Sequence, residues 1–143
     1  LLKKEFDKIL PILEILGKKI HHIGEFGSGM SVKVLNNFVA SCSVVAVRHV
    51  LSEAKNINIT TKQLLNILNC SSGQTWFSEN LDNIDWAKES YTQNNTIAIL
   101  EKDVKSYLDG LANSKNKTNS AMVNFQNALI KGLQNIPKFP NDD

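Results

Sequence analysis

Apolar side chains recur at Val32, Leu35, Val39, Cys42, Ala46 and Val50. That spacing of three and four predicts a helix from residue 30 to about residue 56, with neither proline nor glycine to interrupt it. Val34, Phe38 and Val45 add a second apolar side. A helix of that length runs about 40 Å. Being apolar nearly all round, it is expected to be wrapped by other helices or by another subunit.

Before it, Phe6, Ile9, Leu10, Leu13 and Leu16 are spaced as in a short amphipathic helix ending at Gly17, with Pro11 as a point of kinking. Residues 18–24 read as a brief strand leading into the glycine cluster Gly24, Gly27 and Gly29. One helix and one strand cannot enclose a core, so residues 1–24 are expected to be the tail of a preceding α/β unit. After the long helix, Thr60 with Gln63 forms a capping-box pattern. It opens a helix whose stripe is Leu64, Leu65, Ile67 and Leu68, broken at Ser71-Ser72-Gly73. Further helices are expected at 76–84, 96–113 and 119–135, with Lys115-Asn116-Lys117 as a polar connector. The class is therefore all-α apart from the strand near Ile20, and no internal repeat is present.

The composition is that of a globular protein, 42% hydrophobic and 21% charged, which excludes disordered and fibrous classes. A net charge of +2 with lysines scattered among acids gives no basic stripe, so no nucleic acid partner is expected. The densest apolar run, from Val39 to Val47, is interrupted by Ser41, Cys42 and Ser43 and closed by Arg48, so no membrane span is expected there. Cys42 and Cys70 have no metal-ligand or redox spacing and are read as buried, reduced thiols; no metal is expected. His21, His22 and His49 lack an acid or nucleophile at informative spacing. The sequons at Asn58 and Asn116 occur in an Asn-rich chain and do not argue for secretion.

The glycine cluster invites two nucleotide-binding readings, and both fail. Gly24-x-x-Gly27-x-Gly29 has the wrong order for the dinucleotide fingerprint, and no second strand ending in an acid follows. Gly24-x4-Gly29-Met30-Ser31 places Met30 where a P-loop needs its lysine. What remains is G-x-x-G-x-G-x-x-x-K-x-x-N-N, with Lys33 and Asn37 four residues apart on one helix face and Asn36 beside them. Val32, Val34 and Leu35 around Lys33 are expected to desolvate its ammonium, the tuning a general base needs. The free amides at the helix start, around Gly29, suit an anionic carboxylate. Asn37 can donate and accept, which suits a hydroxyl or a carboxylate. From the residues alone, a snorkelling surface lysine with an interhelical asparagine fits equally well.

The stretch Gly24-Glu25-Phe26-Gly27-Ser28-Gly29-Met30-Ser31-Val32-Lys33-Val34-Leu35-Asn36-Asn37 resembles the G-x-x-G-x-G-x-x-x-K-x-x-x-N signature of the 3-hydroxyisobutyrate (β-hydroxyacid) dehydrogenases. The helix ending at Ser71-Ser72-Gly73 is similar to that family's Ser-Ser-Gly or Ala-Ala-Gly turn, and residues 76–80 resemble its L-threonate dehydrogenase branch. Lys102-Asp103 falls where the family has a Lys-Asp pair facing the cofactor. Leu100 stands where many members carry phenylalanine, and Asn116-Lys117-Thr118-Asn119 replaces a proline-containing linker.

The resemblance implies a 6-phosphogluconate-dehydrogenase-C-terminal-domain-like helical domain over residues 25–143, preceded by a remnant helix and strand of a Rossmann domain. It implies an NAD- or NADP-dependent oxidation of a small hydroxy acid, threonate-like or 3-hydroxyisobutyrate-like. Lys33 is then the catalytic general acid/base, with Asn37, Asn36 and Gly29 on the substrate and Lys102 and Asp103 toward the cofactor. It further implies a cytoplasmic or mitochondrial enzyme that assembles as a homodimer or homotetramer through the helical domain. The dinucleotide fingerprint and the substrate-binding Ser-Gly-Gly stretch are missing, so the chain reads as cut at both ends and inactive alone. 6-Phosphogluconate dehydrogenase itself fits less well, having histidine where this chain has Asn36. An inactive helical oligomerisation or partner-binding module is the competing reading, and the presence of Lys33 weighs against it.

Overall fold

The computed structural model describes residues 2–112 and 120–141. Regular structure among them is helical: α1 (Lys3–Leu16), α2 (Ser28–Asn56), α3 (Thr61–Leu68), α4 (Trp76–Glu79), a 3-10 turn at Leu81–Asn83, α5 (Thr96–Ala112) and α6 (Ser120–Gln134). The all-α class is as expected, and the connector at residues 115–117 lies outside the described residues. The chain divides into two units, residues 1–35 and 36–143, with the division inside α2.

In the first unit, α1 carries Pro11 without ending there and closes where the Gly17 N–H donates to the Leu13 carbonyl at 3.0 Å. Gly17 is extended (φ −155°), so the helix stops by running straight into extended chain instead of through a left-handed cap. Phe6 is buried against His22, with ring centroids 4.8 Å apart. The strand expected at residues 18–24 is not formed. Residues 18–23 are without regular structure, because a strand needs a neighbour to complete its ladder and the described residues supply none.

The second unit holds the core. Val44, Val47 and Leu51 of α2 meet Phe77 of α4, Leu81, Ile97, Leu100 and Val104 of α5, and Leu129, Ile130 and Leu133 of α6. α5 and α6 pack along each other, and Phe38 joins them to α2 through Tyr107 and Phe125, with centroids at 4.8 and 6.0 Å. The Thr60–Gln63 capping box forms as the pattern predicts: the Gln63 N–H donates to Thr60 Oγ1 at 3.2 Å, and the Thr60 N–H donates to Gln63 Oε1 at 2.9 Å.

The face of α2 that the core takes is not the one the apolar spacing picks out. Ser41, Val44, Val47, Arg48, Leu51 and Ala54 are buried, whereas Val32, Leu35, Val39 and Val50 are exposed, Val39 by 67%. A helix apolar on all sides carries more than one candidate face, and the buried arc includes a serine and an arginine that a hydrophobic count passes over. Over its full length α2 is long and apolar enough to cross a membrane, which the run from Val39 to Val47 alone did not suggest. Its buried arc nevertheless belongs to the described core.

Arg48 is wholly buried at the centre of that arc and was not singled out by its sequence context. Its guanidinium donates to the carbonyls of Ala87 and Glu89, each at 2.7 Å, and to that of Pro137, while Phe139 lies 5.6 Å from its carbon. Burial pushes the Arg48 pKa down from its ordinary value. The carbonyls offer partial negative charge in place of a carboxylate, so the cation is held by backbone oxygens from two distant loops.

Candidate functional site

The glycine cluster prepares the start of α2. Gly24 and Gly27 have φ of 144° and 89°, values that side chains other than glycine rarely tolerate, and they turn the chain into the helix. The Gly27 carbonyl then accepts from the Ser31 N–H at 3.0 Å. Gly29 sits in the first turn, where an added Cβ would meet nothing within 4 Å. Lys33 follows on α2 with an exposed side chain.

One turn further along α2, Asn37 is half-buried and tied down twice. Its Nδ2 donates to Asp103 Oδ2 of α5 at 2.5 Å. Its backbone carbonyl accepts from the buried Ser41 hydroxyl at 2.7 Å. The Asn36 amide reaches toward the remaining side-chain oxygen, with Nδ2 at 3.4 Å from Asn37 Oδ1. Asp103 is 8% exposed, whereas the neighbouring Lys102 is exposed. The structure thus joins two sequence motifs, the asparagine pair and the Lys-Asp pair, that lie 66 residues apart.

Asn36 and Asn37 stand at the wall of a cleft of about 690 Å³. Val39 and Ala40 extend that wall, Thr96, Ile99 and Leu100 come from α5, and Trp76 and Trp86 complete it. A space lined mainly by apolar groups with a few convergent amides suits a small organic ligand. Leu100 is buried there, where a larger aromatic would narrow the space. Trp76 is 58% exposed and lines the cleft, while Phe77 is fully buried and stacks on Trp86 at 5.8 Å. Its position immediately after the Thr75 N-cap is what sends Trp76 outward.

The remaining candidate chemistry is sparse. Cys42 is half-buried with its thiol pushed up by burial, and Cys70 is exposed, contrary to the expectation that both are buried. Among the described residues no group of three or more His, Cys, Asp or Glu could hold a metal ion.

Residues 27–132, which include the asparagine pair, the cleft and the Lys-Asp pair, match the family model described as NAD-binding of NADP-dependent 3-hydroxyisobutyrate dehydrogenase. The chain belongs to this family. It is 28% identical to a mitochondrial 3-hydroxyisobutyrate dehydrogenase of Drosophila melanogaster, over 92% of this chain and 43% of that protein. It is 31% identical to 2-(hydroxymethyl)glutarate dehydrogenase of Eubacterium barkeri, over 52% of this chain and 25% of that protein. A probable mitochondrial 3-hydroxyisobutyrate dehydrogenase of Dictyostelium discoideum is 35% identical over 54% and 24% respectively. The chain therefore spans less than half the length of these dehydrogenases. No solved structure matches it. Within the 3-hydroxyisobutyrate dehydrogenase family the resemblance read from the Gly24 to Asn37 stretch is thus confirmed, as is the all-helical, NAD-binding character it implied.

Proposed function

We propose that this chain is the helical C-terminal part of an NAD(P)-dependent oxidoreductase that oxidises a small hydroxy acid, 3-hydroxyisobutyrate-like or threonate-like. The observation that carries the reading is the cleft at Asn36 and Asn37, with the Asn37 amide fixed on Asp103. Residues 1–24 serve as the tail of a Rossmann domain, and residues 25–143 as the substrate and oligomerisation domain.

The residues present fit such a cofactor. On α5 the exposed Lys102 stands three positions after the cleft residue Ile99, and this spacing supports a cation near the cleft for an anionic or carboxamide group. Lys102 is the cofactor-facing cation, with Asp103 beside it on α5, and a bound nicotinamide would supply the acceptor for the hydride. Lys33 takes the proton from the substrate hydroxyl, Asn37 orients that hydroxyl with Asn36 beside it, and the amides near Gly29 face the carboxylate. The exposed stripe Val32, Leu35, Val39 and Val50 supports assembly into a homodimer or homotetramer.

The test is NAD(P)-dependent oxidation of hydroxy acids by the full-length protein, with Lys33→Ala as the comparison. Loss of a general base lowers kcat by about 10² to 10⁴. A full-length wild-type protein with no such activity removes the enzymatic reading and leaves an oligomerisation module, whereas an active one indifferent to Lys33→Ala removes Lys33 as its general base.

A further inference from the structure

The Asn37–Asp103 hydrogen bond does more than connect two helices. A primary amide presents two chemically opposite ends, and a free asparagine can turn either toward a ligand. Here the choice is made by Asp103, a nearly buried side chain on α5 whose Oδ2 lies 2.5 Å from Asn37 Nδ2. A carboxylate oxygen only accepts, so the amino end of Asn37 turns to Asp103 and the carbonyl end turns away from it. Three details agree. Asn36 Nδ2, a donor, approaches Asn37 Oδ1 at 3.4 Å. Both asparagines line the cleft. The Ser41 hydroxyl clamps the Asn37 backbone at 2.7 Å, so the side chain swings from a fixed root.

We propose that Asp103 is a positioning residue for Asn37: by holding the amino end it offers Oδ1 to the cleft as an acceptor, so that Asn37 receives the ligand's hydroxyl and not its carboxylate. This rests on the hydroxy-acid reading above and narrows it. An amide oxygen repels a carboxylate and accepts from an alcohol. The carboxylate must then be held elsewhere, and the group that Asn37 discriminates is the alcohol that reacts.

The experiment is a double-mutant cycle in the full-length protein, with Asn37→Ala, Asp103→Ala and their combination, and with Asp103→Asn as the conservative variant. Asp103→Ala is expected to lower kcat on the order of 10²-fold through misplacement of the hydroxyl, with the KM for NAD(P) unchanged. On the Asn37→Ala background it should cost nothing further. Asp103→Asn, which keeps an acceptor oxygen at the same place, should recover part of the rate. A deoxy carboxylate of the same carbon skeleton should inhibit wild type and Asp103→Ala with the same Ki. Additive losses in the cycle, or a rise in the NAD(P) KM, would overturn the positioning role. A Ki for the deoxy acid that rises with either variant would overturn the hydroxyl assignment. If the wild-type protein proves inactive on hydroxy acids, the functional reading fails separately, and NMR of the Asn37 side-chain amide decides the positioning. Its protons should exchange slowly in wild type and quickly in Asp103→Ala, and equal rates overturn the proposal.

Discussion

The Arg48 guanidinium of α2 donates to the Ala87 carbonyl at 2.7 Å, across 39 residues of chain, and no solvent reaches either group's side of the contact through Arg48. The same head bonds Glu89 and Pro137, so one buried cation ties α2 to the segment before α5 and to the one after α6.

Replacing Arg48 by methionine keeps most of the apolar stem but removes every donor, leaving three carbonyls to find other partners. Hydrogen bonds to charged groups contribute about 1.5 to 3 kcal/mol each, and relaxation of the two loops toward water returns part of that. The expected cost of Arg48→Met is about 3 kcal/mol, read as a lower urea midpoint at unchanged slope. Hydrogen exchange should rise first in residues 137–141, which keep the packing of Phe139 and the Lys55 bond to the Asn141 carbonyl. An equally stable variant would show that the carbonyls rehydrate freely and that Arg48 is not a clamp.

Two helical glycines make opposite predictions. A Cβ at Gly132 of α6 would stand 2.8 Å from Val45 Cγ1 of α2, whereas at Gly110 of α5 it would meet nothing within 4 Å. Alanine gains about 1 kcal/mol over glycine inside a helix. Gly110→Ala should therefore stabilise by up to about that amount. At Gly132 the valine is β-branched and hemmed in, and overpacking costs about 1 to 3 kcal/mol, so Gly132→Ala should be neutral to destabilising by about 2 kcal/mol. Thermal melts of the two variants side by side are the check, and the same sign of shift in both would contradict the close approach of α6 to α2.

How much of this was legible in the sequence follows from what each signal measures. The Thr60–Gln63 cap and the helices α2, α3, α5 and α6 depend on near neighbours, and periodicity with capping found them within a few residues. The strand near Ile20 failed because a strand is a property of two segments, and its ladder partner is not among the described residues. The buried arc of α2 failed for a related reason: with apolar groups on every side, only the partner helices choose the face, and they chose the one carrying Ser41 and Arg48. Lys33 and Asn37 were found as a spacing on one helix. Their environment was not, since the exposure of Lys33 and the grip of Asp103 on Asn37 depend on elements brought in from elsewhere. Trp76 at the cleft wall lacked any periodic mark.

Glu101 gives the fold a pH dependence whose sign can be worked out. It is 4% exposed on α5, where its carboxylate accepts from Lys105 one turn along, from the Tyr91 hydroxyl, and from Gln134 Nε2 at 2.9 Å. Burial alone would raise its pKa, but the hydrogen bonds from Lys105, Tyr91 and Gln134 outweigh it and hold the carboxyl below its ordinary value of 4.5. A depressed folded-state pKa means that the unfolded chain takes up the proton first. The stabilisation is then complete above the ordinary value and is lost as pH falls through the folded one. Tyr91 works at the other end: its hydrogen bond to Glu101, helped by burial and by the carboxylate's charge, raises its pKa above the ordinary 10. The neutral phenol stabilises fully below that value and the contribution disappears as pH rises through the folded one. Glu101→Gln should therefore flatten the melting temperature against pH below about 4.5 and lower the pH at which Tyr91 ionises, followed by its ultraviolet absorbance. A variant whose acid limb still falls as steeply as wild type, with the phenol titrating unchanged, would place the acid sensitivity in other carboxylates and reduce Glu101 to a packing contact.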